Sequence, residues 1–393
     1  MSEPGAKDRT IATHAGNHPH DNSGVVNPPI LRASTILFPT VQAMRDSYKR
    51  KYTSITYGRD GTPTQRLLEE AVSALEGAER AVIVPSGLAA VSAALLSSLG
   101  PGDHLLMVDT VYEPSRMLCD TFLAKIGIEI TYYDPMIGAG IAALIRPNTK
   151  VVYLESPGSL TFETQDVPAI VAAAQARGCL TMIDNTWATP LYFKPAKFGI
   201  DVGIYAATKY ICGHSDMMMG IVTCRSELHH KIAKMAYGVM GHAVSADDCY
   251  MAMRGLRTLH ARLTQHQETA LVLARWLAER PEVEQVLHPA FEATPGHEFW
   301  MRDLSGSSGL FGVVLKPCAP ERLEAMLDGM RLFGMGFSWG GYESLMIPAS
   351  LAASRTAKPW HASGRTLRIH AGLEDPADLI ADIEAGFARL GEK

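Results

Sequence analysis

No apolar run in this chain approaches the roughly 18 residues needed to cross a bilayer, so no membrane-spanning helix is expected. A secretory leader is not expected either: residues 1–14 are polar and lack an apolar stretch followed by a cleavage site. The six cysteines, at 119, 179, 212, 224, 249 and 318, form no C-x-x-C pair and no dense framework. Reduced thiols in the cytoplasm are the simplest expectation. Positive charge is not in excess, and a net charge of −5 offers neither a basic footprint for nucleic acid nor a polybasic anchor for a membrane. Internal repeats and low-complexity segments are missing as well. The exclusions leave a globular protein with a small-molecule partner.

The chain has 393 residues, 47% hydrophobic and 20% charged. That balance is ordinary for globular proteins, and the length suffices for about two to three domains. Residues 1–63 are rich in Pro, Gly, Asn and His with little periodicity, and read as an extended arm held against a partner subunit or the rest of the chain. The histidines at 14, 18 and 20 lack the cysteine or carboxylate company of a closed metal site.

From residue 64 to about 256 the pattern alternates. Leu67, Leu68, Ala71, Val72 and Leu75 recur at helical spacing, with Thr64 read as the cap and Gly77 as the stop. Apolar strands are expected at 81–84, 104–108, 128–132, 150–154 and 180–183, separated by helical stretches at 89–99, 114–126, 137–145 and 167–176. Near-continuous apolar strands alternating with helices predict a parallel sheet covered on both faces. The turn Ser86-Gly87-Leu88 before a helix could cap it or could seat an anion on its first amides. A long helical stretch at 246–277, interrupted at Gly255, is expected to lead into a smaller α+β unit. That unit, 257–393, has strands at 283–287, 310–315 and 366–369 and helices at 321–330 and 376–390.

Two strand ends stand out. One apolar run finishes in Asp184, and another, 201–205, leads into Ala206-Ala207-Thr208-Lys209-Tyr210. Ligands of open α/β sheets sit beyond the carboxyl ends of the strands, so an acid and an amine would face one molecule there. Pyridoxal phosphate needs such a pair: a carboxylate to keep its pyridine nitrogen protonated and a lysine for its aldehyde. Cys212, His214 and Asp216 resemble metal ligands, whereas Gly306-Ser307-Ser308-Gly309, before an apolar strand, is read as a structural turn.

The stretches YGRDGTPT (57–64), SGLAA (86–90), VYEPSR (111–116), LESPGS (154–159), IDNTWA (183–188), ATKY (207–210), GHSD (213–216), RGLRTL (254–259), FSWGGYESL (337–345) and RIHAGLEDPADLI (368–380) occur in this order. Together they resemble the pyridoxal-phosphate enzymes of cysteine and methionine metabolism, and within them the bacterial β-lyases acting on cystathionine. The resemblance spans nearly the whole chain. It implies an α/β, aspartate-aminotransferase-like fold with a mostly parallel central sheet, an N-terminal arm and a smaller C-terminal α+β domain, assembled as a homotetramer of two dimers.

The same resemblance implies roles. Lys209 would hold the cofactor and shuttle protons, Asp184 would face the pyridine nitrogen, and Tyr112 would stack on the ring. The phosphate would meet Gly87, Leu88 and Thr208, with Tyr57 and Arg59 arriving from the neighbouring subunit and also serving the substrate. Arg368 would take the substrate carboxylate, since a guanidinium fork fits it in two places; Ser338 and Trp339 would line the substrate side. Ala206 stands where many members have serine, and Phe337 where the nearest β-lyases have tyrosine. Trp339 favours β-lyase chemistry over a γ-lyase or γ-synthase of the same family, and a ligand-binding regulator without turnover is the reading from a different class.

Overall fold

The computed structural model describes residues 5–351 and 355–391. Its centre is a seven-stranded sheet: β1 (Arg80–Val84), β2 (His104–Val108), β3 (Glu129–Tyr133), β4 (Thr149–Glu155), β5 (Leu180–Asp184), β6 (Val202–Ala206) and β7 (Gly220–Cys224). The spatial order is β1-β7-β6-β5-β4-β2-β3, and only β7 runs antiparallel to its neighbours. Apart from the edge strand β3, these strands are almost wholly buried because helices cover both faces, which is what their unbroken apolar runs predicted. A second, antiparallel sheet follows: β8 (Val283–Leu287), β9 (Leu310–Leu315), β10 (Leu345–Ala349) and β11 (Thr366–His370), ordered β10-β11-β9-β8. The structure is therefore the expected α/β fold with a mostly parallel central sheet.

Four local expectations need correction. The segment before residue 63 is not simply extended. It carries helices Asp8–His14 and Val41–Lys49, and Ala12 and Ala15 are buried in the core with Leu68 and Ala71. The first helix of the main unit, Pro63–Glu76, is capped by Thr62 rather than Thr64, whose hydroxyl instead bonds Pro29 O and Leu31 N of the arm. Strand β10 has no counterpart among the expected strands; Pro348 lies within it, and as an edge strand it can spare that donor. Finally, helix Ala246–Ala278 is continuous through Gly255. A Cβ there would lie 2.3 Å from Ile211 O and 2.5 Å from Cys212 O, so glycine is what lets this helix rest on the chain just past Lys209.

That helix joins two cores. Cys249 to Leu263 pack with Tyr205, Tyr210 and Ile211 beside the central sheet, whereas Ala270 to Leu277 pack with Phe311, Val313 and Leu367 of the second. Arg262, near the end of the first group, donates to Tyr210 O at 2.7 Å, Gly255 O at 2.7 Å and Ile211 O at 3.4 Å. Its guanidinium fills the space under Gly213, where a Cβ would stand 1.9 Å from Nη1. The loop after Lys209 is thereby fixed from below.

Candidate active site

The carboxyl ends of β4, β5 and β6 bring acids and amine together. Asp184 and Glu155 end adjacent parallel strands and are register partners. Asp184 Oδ1 accepts the Thr186 amide at 2.9 Å, while Glu155 accepts Tyr112 N at 2.8 Å and Ser159 Oγ at 2.6 Å. Burial raises the pKa of both carboxyls, and for Glu155 the neighbouring Asp184 adds to the effect. Two buried acids side by side call for a cation between or beside them.

Lys209 lies three residues beyond β6, in the turn closed by its own amide on Ala206 O at 3.0 Å. Its Nζ donates to Ser338 Oγ at 2.6 Å and sits 5.2 Å from the centre of the Trp339 ring. Burial brings this amine down to about 8; Arg368 pushes the same way and Asp184 opposes. Arg368, on β11, donates from Nη2 to Ser338 O at 2.8 Å and Gly336 O at 3.3 Å. Tyr112 opens the short helix Glu113–Met117 and remains 46% exposed, so its ring is free to meet a ligand. Burial raises its pKa, the charges of Asp184 and Glu155 raise it further, and Arg368 opposes them. Lys209, Asp184, Tyr112, Arg368, Ser338 and Trp339 thus converge.

The turn after β1 also approaches. A Cβ on Gly87 would stand 2.6 Å from Ala206 Cβ, so the turn packs directly on the strand leading to Lys209. Ser86 caps the helix Gly87–Ser98: its Oγ takes the Ala89 amide and its carbonyl the Ala90 amide. The amides of Gly87 and Leu88 head that helix ahead of these two bonds, the place where an anion is favoured. The Thr208 hydroxyl is engaged with Met219, accepting its amide at 3.0 Å and donating to its carbonyl at 3.2 Å.

Tyr57 and Arg59 do not join this group within the chain. They stack loosely on one another, 5.6 Å apart, and line a cavity of about 210 Å³ with Phe38, Met44 and Tyr48 of the same N-terminal segment. Phe337 is 92% exposed. At the GHSD loop, the Cys212 thiol is pushed up to about 12, chiefly by burial, and the His214 ring bonds its own loop at Cys212 O, 2.8 Å away. The Gly306–Gly309 turn is pinned by Gln267 and Tyr210, as a structural turn would be. Glu155 was missed as a site residue, although the signal that exposed Asp184, an apolar run ending in a carboxylate, is present at 151–155 too.

A family model for Cys/Met metabolism PLP-dependent enzymes matches residues 9–388. The chain belongs to this family. It is 50% identical to a putative cystathionine β-lyase of Rhizobium johnstonii, with 96% of this chain and 95% of that protein aligned. It is 47% identical to the cystathionine β-lyase MetC of Escherichia coli, with 97% and 98% aligned. Among solved structures, a cystathionine γ-synthase of Xanthomonas oryzae pv. oryzae in complex with aminoacrylate and cysteine superposes with a TM-score of 0.88 at 32% identity, covering 98% of each chain. As a member of the family this chain is a pyridoxal-phosphate-dependent enzyme. The residues fit that cofactor: a pyridinium N–H would relieve the Asp184–Glu155 pair, a phosphate suits the head of the Gly87 helix, and Lys209 offers a buried amine of lowered pKa.

Proposed function

We propose that this chain is a carbon–sulfur β-lyase of methionine biosynthesis by transsulfuration, cleaving L-cystathionine to homocysteine, pyruvate and ammonia. The observation that carries the reading is the meeting of Lys209, Ser338, Trp339 and Arg368 at one point opposite Asp184. The β rather than γ assignment draws on Trp339 and on the name borne by relatives at 47–50% identity. When bound, pyridoxal phosphate supplies the electron sink that stabilises negative charge at the substrate Cα.

The chain's own residues do the rest. Asp184 would keep the ring nitrogen protonated, Tyr112 would lie against the ring, and the Gly87 and Leu88 amides would receive the phosphate. Thr208 joins them by turning its hydroxyl proton away from Met219 O. Arg368 gives up its bonds to the loop carbonyls for the substrate carboxylate. Lys209, held by Ser338 Oγ, takes the Cα proton. The Cβ–S bond then breaks, the thiolate leaves, and the three-carbon remainder is hydrolysed to pyruvate and ammonia. Tyr57 and Arg59 serve this site from a neighbouring subunit. The exposed Val25, Val26, Leu37, Val41 and Tyr48 of the same segment support a subunit contact there, within a cytoplasmic tetramer of two dimers. The division into an arm (1–63), a cofactor domain (64–256) and a C-terminal domain (257–393) puts its second border inside the helix that joins the two cores.

Incubating the purified yellow protein with L-cystathionine tests the reading: pyruvate with homocysteine supports it. Release of 2-oxobutyrate with cysteine would move the chain to the γ-lyases, and bound cofactor without any keto acid would favour a regulator. A second expectation concerns pH. Only a neutral amine attacks an aldehyde, and Lys209 loses its proton near 8, so the rate at which the stripped protein takes up added pyridoxal phosphate should rise as pH passes about 8 and level off above it. A flat rate from pH 6 to 10 would show that another step or another lysine governs uptake.

A further inference from the structure

The substrate loop is tied down at several points, among them Tyr342 O to the Leu373 amide and the Glu343 carboxylate to Ser215 Oγ, and two of the ties come from one face of β11. Residues 368 and 370 alternate along that strand, so their side chains point the same way. Arg368 holds the loop at Gly336 O and Ser338 O. His370, fully buried, holds it further on: Nε2 lies 3.1 Å from Gly340 N and Nδ1 lies 3.0 Å from Glu343 O. An amide can only donate and a carbonyl can only accept, so Nε2 is the acceptor and Nδ1–H the donor. The ring is neutral and both nitrogens are used. Its surroundings keep it so: burial, then His266 at 5.1 Å between ring centres, lower its pKa.

Gly340 is the point where the loop touches the cofactor lysine. It has φ +88°, and a Cβ would come within 2.9 Å of Lys209 C and Tyr210 N. Ser338, two residues earlier, has φ +75° and bonds Lys209 Nζ. Trp339 between them packs 5.3 Å from Tyr210. A loop held in so unfavourable a backbone conformation needs fixed anchors. In the proposed reaction Arg368 must turn to the substrate carboxylate, which frees its end of the loop.

We propose that His370 is a positioning residue: a permanent neutral tether that keeps Ser338 and Trp339 seated on Lys209 while Arg368 binds substrate. The proposal rests on the β-lyase reading for its kinetic part and on the geometry alone for its structural part. His370→Leu removes both bonds and keeps an apolar side chain in the same space. In the cofactor-loaded protein it should speed amide hydrogen exchange in residues 336–343. It should also raise KM for L-cystathionine by about 10- to 100-fold with a smaller change in kcat, the size expected when an aligned group is displaced by about 1 Å. His370→Gln, whose carbonyl can accept from Gly340 N, should recover most of the exchange protection and most of the KM. If the leucine variant folds poorly, His370→Asn tests the Gly340 bond alone: its short amide can donate to Glu343 O from the place of Nδ1, but its carbonyl does not reach as far as Nε2 to accept from Gly340 N. Unchanged exchange in the loop, a fall confined to kcat, or no recovery with glutamine would each overturn the tether. If the wild-type protein makes no pyruvate from cystathionine, the reaction assignment fails, and the exchange measurement still judges His370.

Discussion

Lys209→Ala should yield a folded, colourless protein with no measurable release of pyruvate from L-cystathionine. The fold is expected to survive because the lysine backbone, not its side chain, holds the turn: its amide bonds Ala206 O, and its carbonyl takes the Gly213 amide at 2.7 Å. The clamp by Arg262 acts on Tyr210 and Ile211, and Gly340 rests on main-chain atoms. What disappears is the amine next to Ser338. In the proposed mechanism that removes both the anchor for the cofactor aldehyde and the group that takes the Cα proton. Proton transfer by a positioned group contributes about 10²–10⁴ by itself, and the loss of covalent attachment adds to it. Visible absorbance, the unfolding transition and keto-acid release check the three parts separately. A variant that kept full lyase activity would remove Lys209 from the mechanism.

The ease with which Lys209 was found in the sequence, against the difficulty with His370, has a physical basis. Parallel strands buried on both faces must be continuous apolar runs, so a charged residue that ends one is conspicuous, and the topology places such residues at the ligand crevice. Asp184, Glu155 and Lys209 all carry that local mark, though Glu155 was passed over because one acid already met the chemical need. Arg368, Ser338 and Trp339 have no such mark. They lie in the second unit, more than 120 residues beyond Lys209, and only their likeness to a known family drew attention to them.

His370 lies within the stretch RIHAGLEDPADLI, yet neither that likeness nor a local mark points to a role for it, since the role exists only where β11 meets the turn at Gly340. Local rules also failed where tertiary contact overrode them. Gly255 reads as a helix interruption but is a point of close approach, and Pro348 hides an edge strand. Residues 8–14 look like part of an irregular arm, yet the helix there packs on Pro63–Glu76. A Cβ on Gly16, just past it, would stand 2.3 Å from Leu67 O.

Asp109→Asn should destabilise the protein by about 3–5 kcal/mol, the cost of breaking a buried ion pair from one side. Asp109 follows β2 and is 1% exposed. Its Oδ1 accepts from Arg116 Nη2 at 2.6 Å and from the Thr356 amide at 2.9 Å; Oδ2 accepts from the amides of Ala357 at 3.0 Å and Lys358 at 3.1 Å, and more distantly from Arg355. Burial raises its pKa, but these amides and Arg116 outweigh that and hold the carboxyl below its ordinary 3.8. The asparagine keeps one accepting oxygen and turns an NH₂ group toward donors. Arg355 would then keep Glu163 at 3.1 Å, while Arg116 would keep the Tyr132 ring face at 3.6 Å, Asp109 O at 3.1 Å and Thr356 Oγ1 at 3.3 Å but no carboxylate. One positive charge would be left buried without a counter-ion.

Because the folded-state pKa is depressed, the wild-type advantage is present above pH 3.8 and is lost as pH falls through the lower native value. Chemical unfolding of wild type and variant should therefore differ by the full amount at pH 7 and converge in acid. Adding Arg116→Met to Asp109→Asn should restore part of the loss, since it removes the stranded charge. A single-variant loss under about 1 kcal/mol, the level of an exposed pair, would mean that water reaches the cluster. Asp109 is followed by Thr110, Val111 and Tyr112, so the same carboxylate that docks residues 355–358 also sets where the tyrosine proposed to cover the ring begins. If Tyr112 covers the ring as proposed, the variant is expected to lose cofactor affinity at temperatures where it is still folded.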